Sequence, residues 1–67
     1  MKPLEKVLRA EAARLGLTVV RVEQNHRHPR FVFLVDGEER FVTFSGTASE
    51  SGSYARTARG NLRRAAK

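Results

Sequence analysis

The sequence predicts an α+β domain with the element order α-β-β-β-α. Three observations carry this: an apolar stripe at helical spacing between Pro3 and Gly16, two runs rich in β-branched and aromatic residues on either side of Asp36-Gly37, and a C-terminal segment whose apolar and basic positions separate onto opposite sides of a helix. A chain of 67 residues has room for one core, so residues 1–67 read as a single domain. Only five of its residues are aromatic, four Phe and one Tyr, so the core is expected to be modest and oligomerisation would help it.

The first helix is expected over Pro3 to Leu15. Proline suits the first helical turn because its missing N–H is one the helix leaves unpaired anyway, and Gly16 suits the position just past the end. At about 100° per residue, Leu4, Val7, Leu8 and Leu15 share one side. Glu11 interrupts that stripe. It is expected at the stripe's edge near solvent, the alternative being a pairing with an arginine.

From Leu17 the texture changes to LTVVRVE, a strand signal. Gln24 to Arg30, QNHRHPR, is a polar connection, and Phe31 to Val35 is a second strand with apolar residues on both faces. Asp36-Gly37 supplies a hairpin turn and Arg40 to Ser45 resumes as a third strand. Residues 45–53 are small and polar, hence a loop whose later serines can cap a helix. The last helix is expected from Ser53 to Ala66, with Tyr54, Ala58, Leu62 and Ala65 inward and Arg56, Arg59, Arg63 and Lys67 about opposite. One apolar stripe per helix places both helices on one face of a three-stranded antiparallel sheet. The other face stays open with Val32 and Leu34 on it, which points to a homodimer through that face.

Charge distribution narrows function further. Thirteen basic against seven acidic residues give a net +6, and residues 51–67, with Arg56, Arg59, Arg63, Arg64 and Lys67 and no acid, carry five of those six charges. A polyanionic partner is therefore expected: RNA or another nucleic acid first, an acidic protein second. The N-terminal segment is too charged for a signal peptide, no apolar run approaches the roughly 18 residues a membrane span needs, and cysteine is absent. These point to a cytoplasmic protein without membrane attachment, cofactor or metal.

The order of elements and the Asn25-His26-Arg27-His28 stretch before the second strand resemble the HicA-type toxins, small relatives of the double-stranded-RNA-binding domain. Ser45-Gly46-Thr47-Ala48-Ser49-Glu50 and Asn61-Leu62-Arg63-Arg64 resemble the loop and the helix end of a set of small phage and prophage proteins. The HicA resemblance implies a metal-independent mRNA interferase with a loop histidine as its catalytic group.

On chemistry, such a ribonuclease needs a base for the 2′-hydroxyl proton, an acid for the leaving oxygen, and cations near phosphorus. His26 and His28 are the candidates for base and acid, with Arg27 and Arg30 as cations. In an extended stretch the two histidines would project to one side, about 7 Å apart. The expected site is thus His26, Arg27, His28 and Arg30 on the loop with Arg56, Arg59, Arg63, Arg64 and Lys67 on the last helix. A nucleic-acid-binding module is the leading reading, the ribonuclease and a phage-encoded module docking on an acidic host protein are the alternatives, and whether the chain is an enzyme stays open.

Overall fold

The computed structural model describes residues 2–46 and 52–67. Its element order is α1 (Pro3–Leu15), β1 (Thr18–Glu23), β2 (Arg30–Val35), β3 (Glu38–Thr43) and α2 (Gly52–Ala65). The three strands form one antiparallel sheet in the order β1-β2-β3. This is the α+β architecture that the sequence predicts.

Local chemistry sets the boundaries. Pro3 opens α1, and Gly16 closes it at φ 74°, a left-handed conformation that costs a residue without Cβ little. Its N–H bonds back to Ala13 O at 3.2 Å while Leu17 N–H reaches Ala12 O at 2.9 Å, the paired closure of a Schellman motif. Asp36 (φ 52°) and Gly37 (φ 78°) make the two-residue hairpin turn, so Val35 pairs with Glu38 and β3 begins two residues before the expected Arg40. The expected capping serines at 49 and 51 lie outside the described residues; Ser53 is already helical.

Leu4, Leu8 and Ala12 of α1, Ala55, Ala58 and Leu62 of α2, and Phe31, Phe33, Val42 and Phe44 from the sheet form one core cluster, so both helices cover the same sheet face. Phe31 and Phe33 anchor it, with ring centroids 6.4 Å apart. Each fully buried side chain of this kind contributes roughly 1.5–3 kcal/mol. Two expectations about the core are corrected. Tyr54 is 64% exposed rather than inward, because Ala55 takes the inward seat on the stripe with Ala58 and Leu62. Leu15 is exposed too, since it stands at the very end of α1 where the helix leaves the sheet.

The open face differs from a bare apolar surface. Val32 is only 4% exposed within the single chain. It sits in register between Arg21 of β1 and Phe41 of β3, and the Arg21–Glu39 ion pair at 3.1 Å crosses β2 from one outer strand to the other. The aliphatic stems of charged side chains can shield apolar neighbours in this way. Among the described residues, no helix is long and apolar enough to cross a membrane.

Candidate nucleic-acid interface

The basic side chains of α2 stand where the packing stripe puts them. With Ala55, Ala58 and Leu62 inward, Arg56, Arg59 and Arg63 follow at spacings of three and four and share one flank. That flank is turned towards α1: Arg63 Nε lies 3.7 Å from Glu11 Oε2. Arg14, in the last turn of α1, donates to the same carboxylate from Nη2 at 2.5 Å and from Nε at 3.3 Å. Glu11 is 5% exposed, so the expectation of a solvent-side position at the stripe's edge is corrected. A buried carboxylate is tolerated here because the seam between the helices surrounds it with guanidinium groups.

The hydrogen bond from Arg14 is the main reason that the Glu11 carboxyl stays below its ordinary range; burial opposes this, and the charges of Arg14, Arg63 and Arg59 assist it. One carboxylate among three arginines leaves the seam positive. Further along α2, Arg64 Nη2 donates to Asn61 Oδ1 at 2.5 Å and Arg63 Nε to the Arg59 carbonyl at 3.4 Å. Exposed Lys67 follows the helix, and Arg40 of β3 donates to the Ala65 carbonyl at 2.9 Å and to that of Lys67, which satisfies carbonyls that the helix end leaves open.

The histidine loop is built differently. His26 Nε2 is 2.8 Å from Glu23 Oε1, and Glu23 also accepts from Arg21 Nε at 2.7 Å. Arg21 in turn holds Glu39, so a row of ionic contacts runs from β3 across the open face to the loop. Glu23 is held below the ordinary carboxylate range, first by the hydrogen bond from Arg21 and then by that from His26. Both histidines line one pocket of about 350 Å³ with Arg27 and, from the other end of the chain, Lys2. His28 also borders a groove of about 520 Å³ whose α2 wall is Tyr54, Thr57 and Asn61.

The expected combined site therefore divides. His28 meets the flank of α2 that carries Tyr54, Thr57 and Asn61, whereas Arg59 and Arg63 are on the flank facing Glu11 of α1. Arg64, bonded to Asn61, is the α2 cation most nearly shared between the two flanks. Arg30 belongs to neither group. Its neighbour Phe31 is in the core, so Arg30 points to the open face, where its guanidinium lies 4.6 Å from the centroid of the Phe41 ring. Lys2 and Glu23 are the site residues that sequence reasoning missed. Glu23 ends β1 three residues before His26, so proximity along the chain could have found it, while nothing in the sequence ties Lys2 to residues 24–29.

Among the described residues, no group of three or more His, Cys, Asp or Glu side chains converges as a metal site would require. Comparison with known proteins finds no matching family model, no matching curated protein and no matching solved structure.

Proposed function

We propose that this chain is a small nucleic-acid-binding module that docks on the phosphate backbone through α2, with RNA duplex preferred. The observation that carries this reading is the cationic flank of Arg56, Arg59 and Arg63, continued by Arg64 and Lys67, against which the described residues set one carboxylate, Glu11. A helix that holds several guanidinium groups in a row neutralises successive phosphates and releases their counterions. The chain offers few rings for stacking unpaired bases. Tyr54 is exposed, while Phe41 is half exposed with Arg30 already against its ring. Recognition by backbone and helical shape is the mode these residues favour.

Fluorescence anisotropy with a short RNA duplex, the matching DNA duplex and a single strand tests the reading. Neutralising three or four phosphates gives a slope of about −3 for log affinity against log salt, with the RNA duplex tightest. No binding at 50 mM salt overturns it and moves an acidic protein partner into first place.

A second reading, metal-independent RNA cleavage, is favoured by one contact, the 2.8 Å pairing of His26 with Glu23 beside His28 and Arg27. A carboxylate fixes which ring nitrogen carries the proton and orients the ring for proton transfer. His26 and His28 would divide the roles of base and acid, and Arg27 would face the charge on phosphorus. Cleavage in the presence of chelator that His26→Ala or His28→Ala abolishes, with circular dichroism unchanged, is the expected result. Equal cleavage by both variants excludes the histidines.

A further inference from the structure

We propose that the pocket between the β1–β2 connection and the residue preceding α1 is a separate site for a phosphate monoester, with Lys2, His26, Arg27 and His28 as the groups that face it. The site goes beyond the α2 surface, because it takes a single terminal or free phosphate and shares none of the α2 arginines.

Three segments distant in sequence meet there. Residues 24–29 form one wall, Ser45 and Gly46 after β3 another, and Lys2 the third. The volume is about 350 Å³, and among the described residues no Asp or Glu lines it; the lining is Lys2, Gln24, Pro29, Ser45 and Gly46 besides the two histidines and Arg27. The described residues thus gather one ammonium, one guanidinium and two imidazoles in a concave space, with no carboxylate among its described lining residues. The carboxylate nearest to it in the network, Glu23, sits behind His26 and is occupied by it and by Arg21.

The walls are held rather than loose. Pro29 is buried, and its carbonyl accepts from Phe44 N–H at 3.1 Å, which ties the end of the loop to the end of β3. Lys2 lies along Gly46: a Cβ at that glycine would stand 3.4 Å from Lys2 Cδ and 3.5 Å from Nζ, so the ammonium is laid against the pocket wall. His26 engages Glu23 through Nε2, which leaves Nδ1 as the ring atom that reaches a ligand, donating to a phosphate oxygen when the ring carries both protons.

The chemistry selects a monoester over an internal diester. A monoester carries about −1.5 to −2 charges at neutral pH and presents three strong acceptor oxygens. An internal diester carries a single charge with substituents on both sides, which suits an open helix face better than a concave pocket, so the monoester site is an alternative to cleavage by the same His26, Arg27 and His28. Lysine supplies a point charge and arginine a planar fork, a combination suited to phosphate.

Two-dimensional NMR of the ¹⁵N-labelled full chain, titrated with inorganic phosphate at constant ionic strength against chloride, tests the site without any nucleic acid. The expected result is saturable shifts at Gln24, His26, Arg27, His28 and Gly46 that leave Arg56, Arg59 and Arg63 unmoved. Lys2→Ala, which keeps the backbone bond from Lys6 N–H to the Lys2 carbonyl, should weaken phosphate about tenfold, the typical worth of one charge-assisted contact. In parallel, a 5′-phosphorylated oligonucleotide should bind about tenfold tighter than its 5′-hydroxyl twin in the wild type and equally in Lys2→Ala, if the phosphate comes from a nucleic-acid end. Phosphate saturation without that 5′ advantage supports the site and assigns it free phosphate. Shifts equal to those with chloride, or full phosphate affinity in Lys2→Ala, overturn the proposal. Because duplex binding by α2 is measured separately, either reading can fail without the other.

Discussion

The arginines of the first helix and of the outer strand β1 differ from those of the last helix in what they touch. Arg9 meets Glu5 at 3.0 Å, Arg14 meets Glu11 at 2.5 Å, and Arg21 meets Glu23 at 2.7 Å and Glu39 at 3.1 Å. The arginines of α2 rest on oxygens without formal charge, Arg63 on the Arg59 carbonyl and Arg64 on the Asn61 amide, and the carboxylate they reach among the described residues is Glu11, 3.7 Å from Arg63. The same side chain thus serves two ends. In the first region it is balanced within the fold and shields apolar surface; in the second its charge faces outward. Exposed pairs of the first kind contribute little stability each, so their value lies in covering residues such as Val32.

Substitutions can break that comparison, and the largest effect should come from the inner side of α2. Leu62 is fully buried, so Leu62→Ala should cost about 2–5 kcal/mol in chemical denaturation, and a smaller loss would mean that α2 is not held by the core. The outer side should behave in the opposite way. Replacing Arg56, Arg59 and Arg64 together by glutamine should lower duplex-RNA affinity about a hundredfold or more at low salt and flatten the salt slope by about three, with Tm nearly unchanged. If affinity holds, the outward charge has another use.

Glu11 stands between the two regions and should show itself in acid. Its folded pKa is depressed below the ordinary 4.5, so the stability it brings is complete above that value and is lost as pH falls through the lower folded pKa. Glu23 acts with the same sign. Glu11→Gln should flatten the acid limb of a plot of denaturation midpoint against pH, and an unchanged limb would show that Arg14 and Arg63 do not hold the carboxylate. The smallest effect belongs to Arg21→Met, which breaks the ion pairs but keeps an aliphatic stem over Val32: Tm should barely move, and a large drop would mean that the ionic contacts over β2 act as a stabilising network.

Most of the fold was legible because its signals are local. Proline and glycine mark α1 at Pro3 and Gly16, and Asp36-Gly37 specifies the hairpin without reference to the rest of the chain. The strand boundaries shifted by one or two residues where pairing extends beyond the apolar run, as at Glu38. Legibility fails where a partner comes from afar. Glu11 reads as an exposed edge: its main partner, Arg14, is only three residues on, but the α2 helix that closes the seam over the pair and brings Arg63 to 3.7 Å is distant in sequence. Tyr54 reads as core on helical spacing, because two neighbouring residues fit the stripe's margin and the final rotation, set by small alanines packing on the sheet, favours Ala55. The candidate site shows the same divide. Its residue types were visible, but not the separation of the loop from the arginine flank, nor the arrival of Lys2, which depend on how three segments converge.

The irregularity in β1 bears on the behaviour of many copies of the chain together. Between Val19 and Arg21 the pairing with β2 shifts by one residue, so Val20 is an extra residue in an outer strand and is partly exposed. An outer strand with a regular, flat ladder is a template on which another chain can add; an inserted residue breaks the repeat and increases the local twist. At the opposite border, β3 opens with Glu38, Glu39 and Arg40, charges that strand addition would have to desolvate. A three-stranded sheet cannot close on itself; in this chain geometry interrupts one border and charge marks the start of the other, two obstacles to the addition of a further strand.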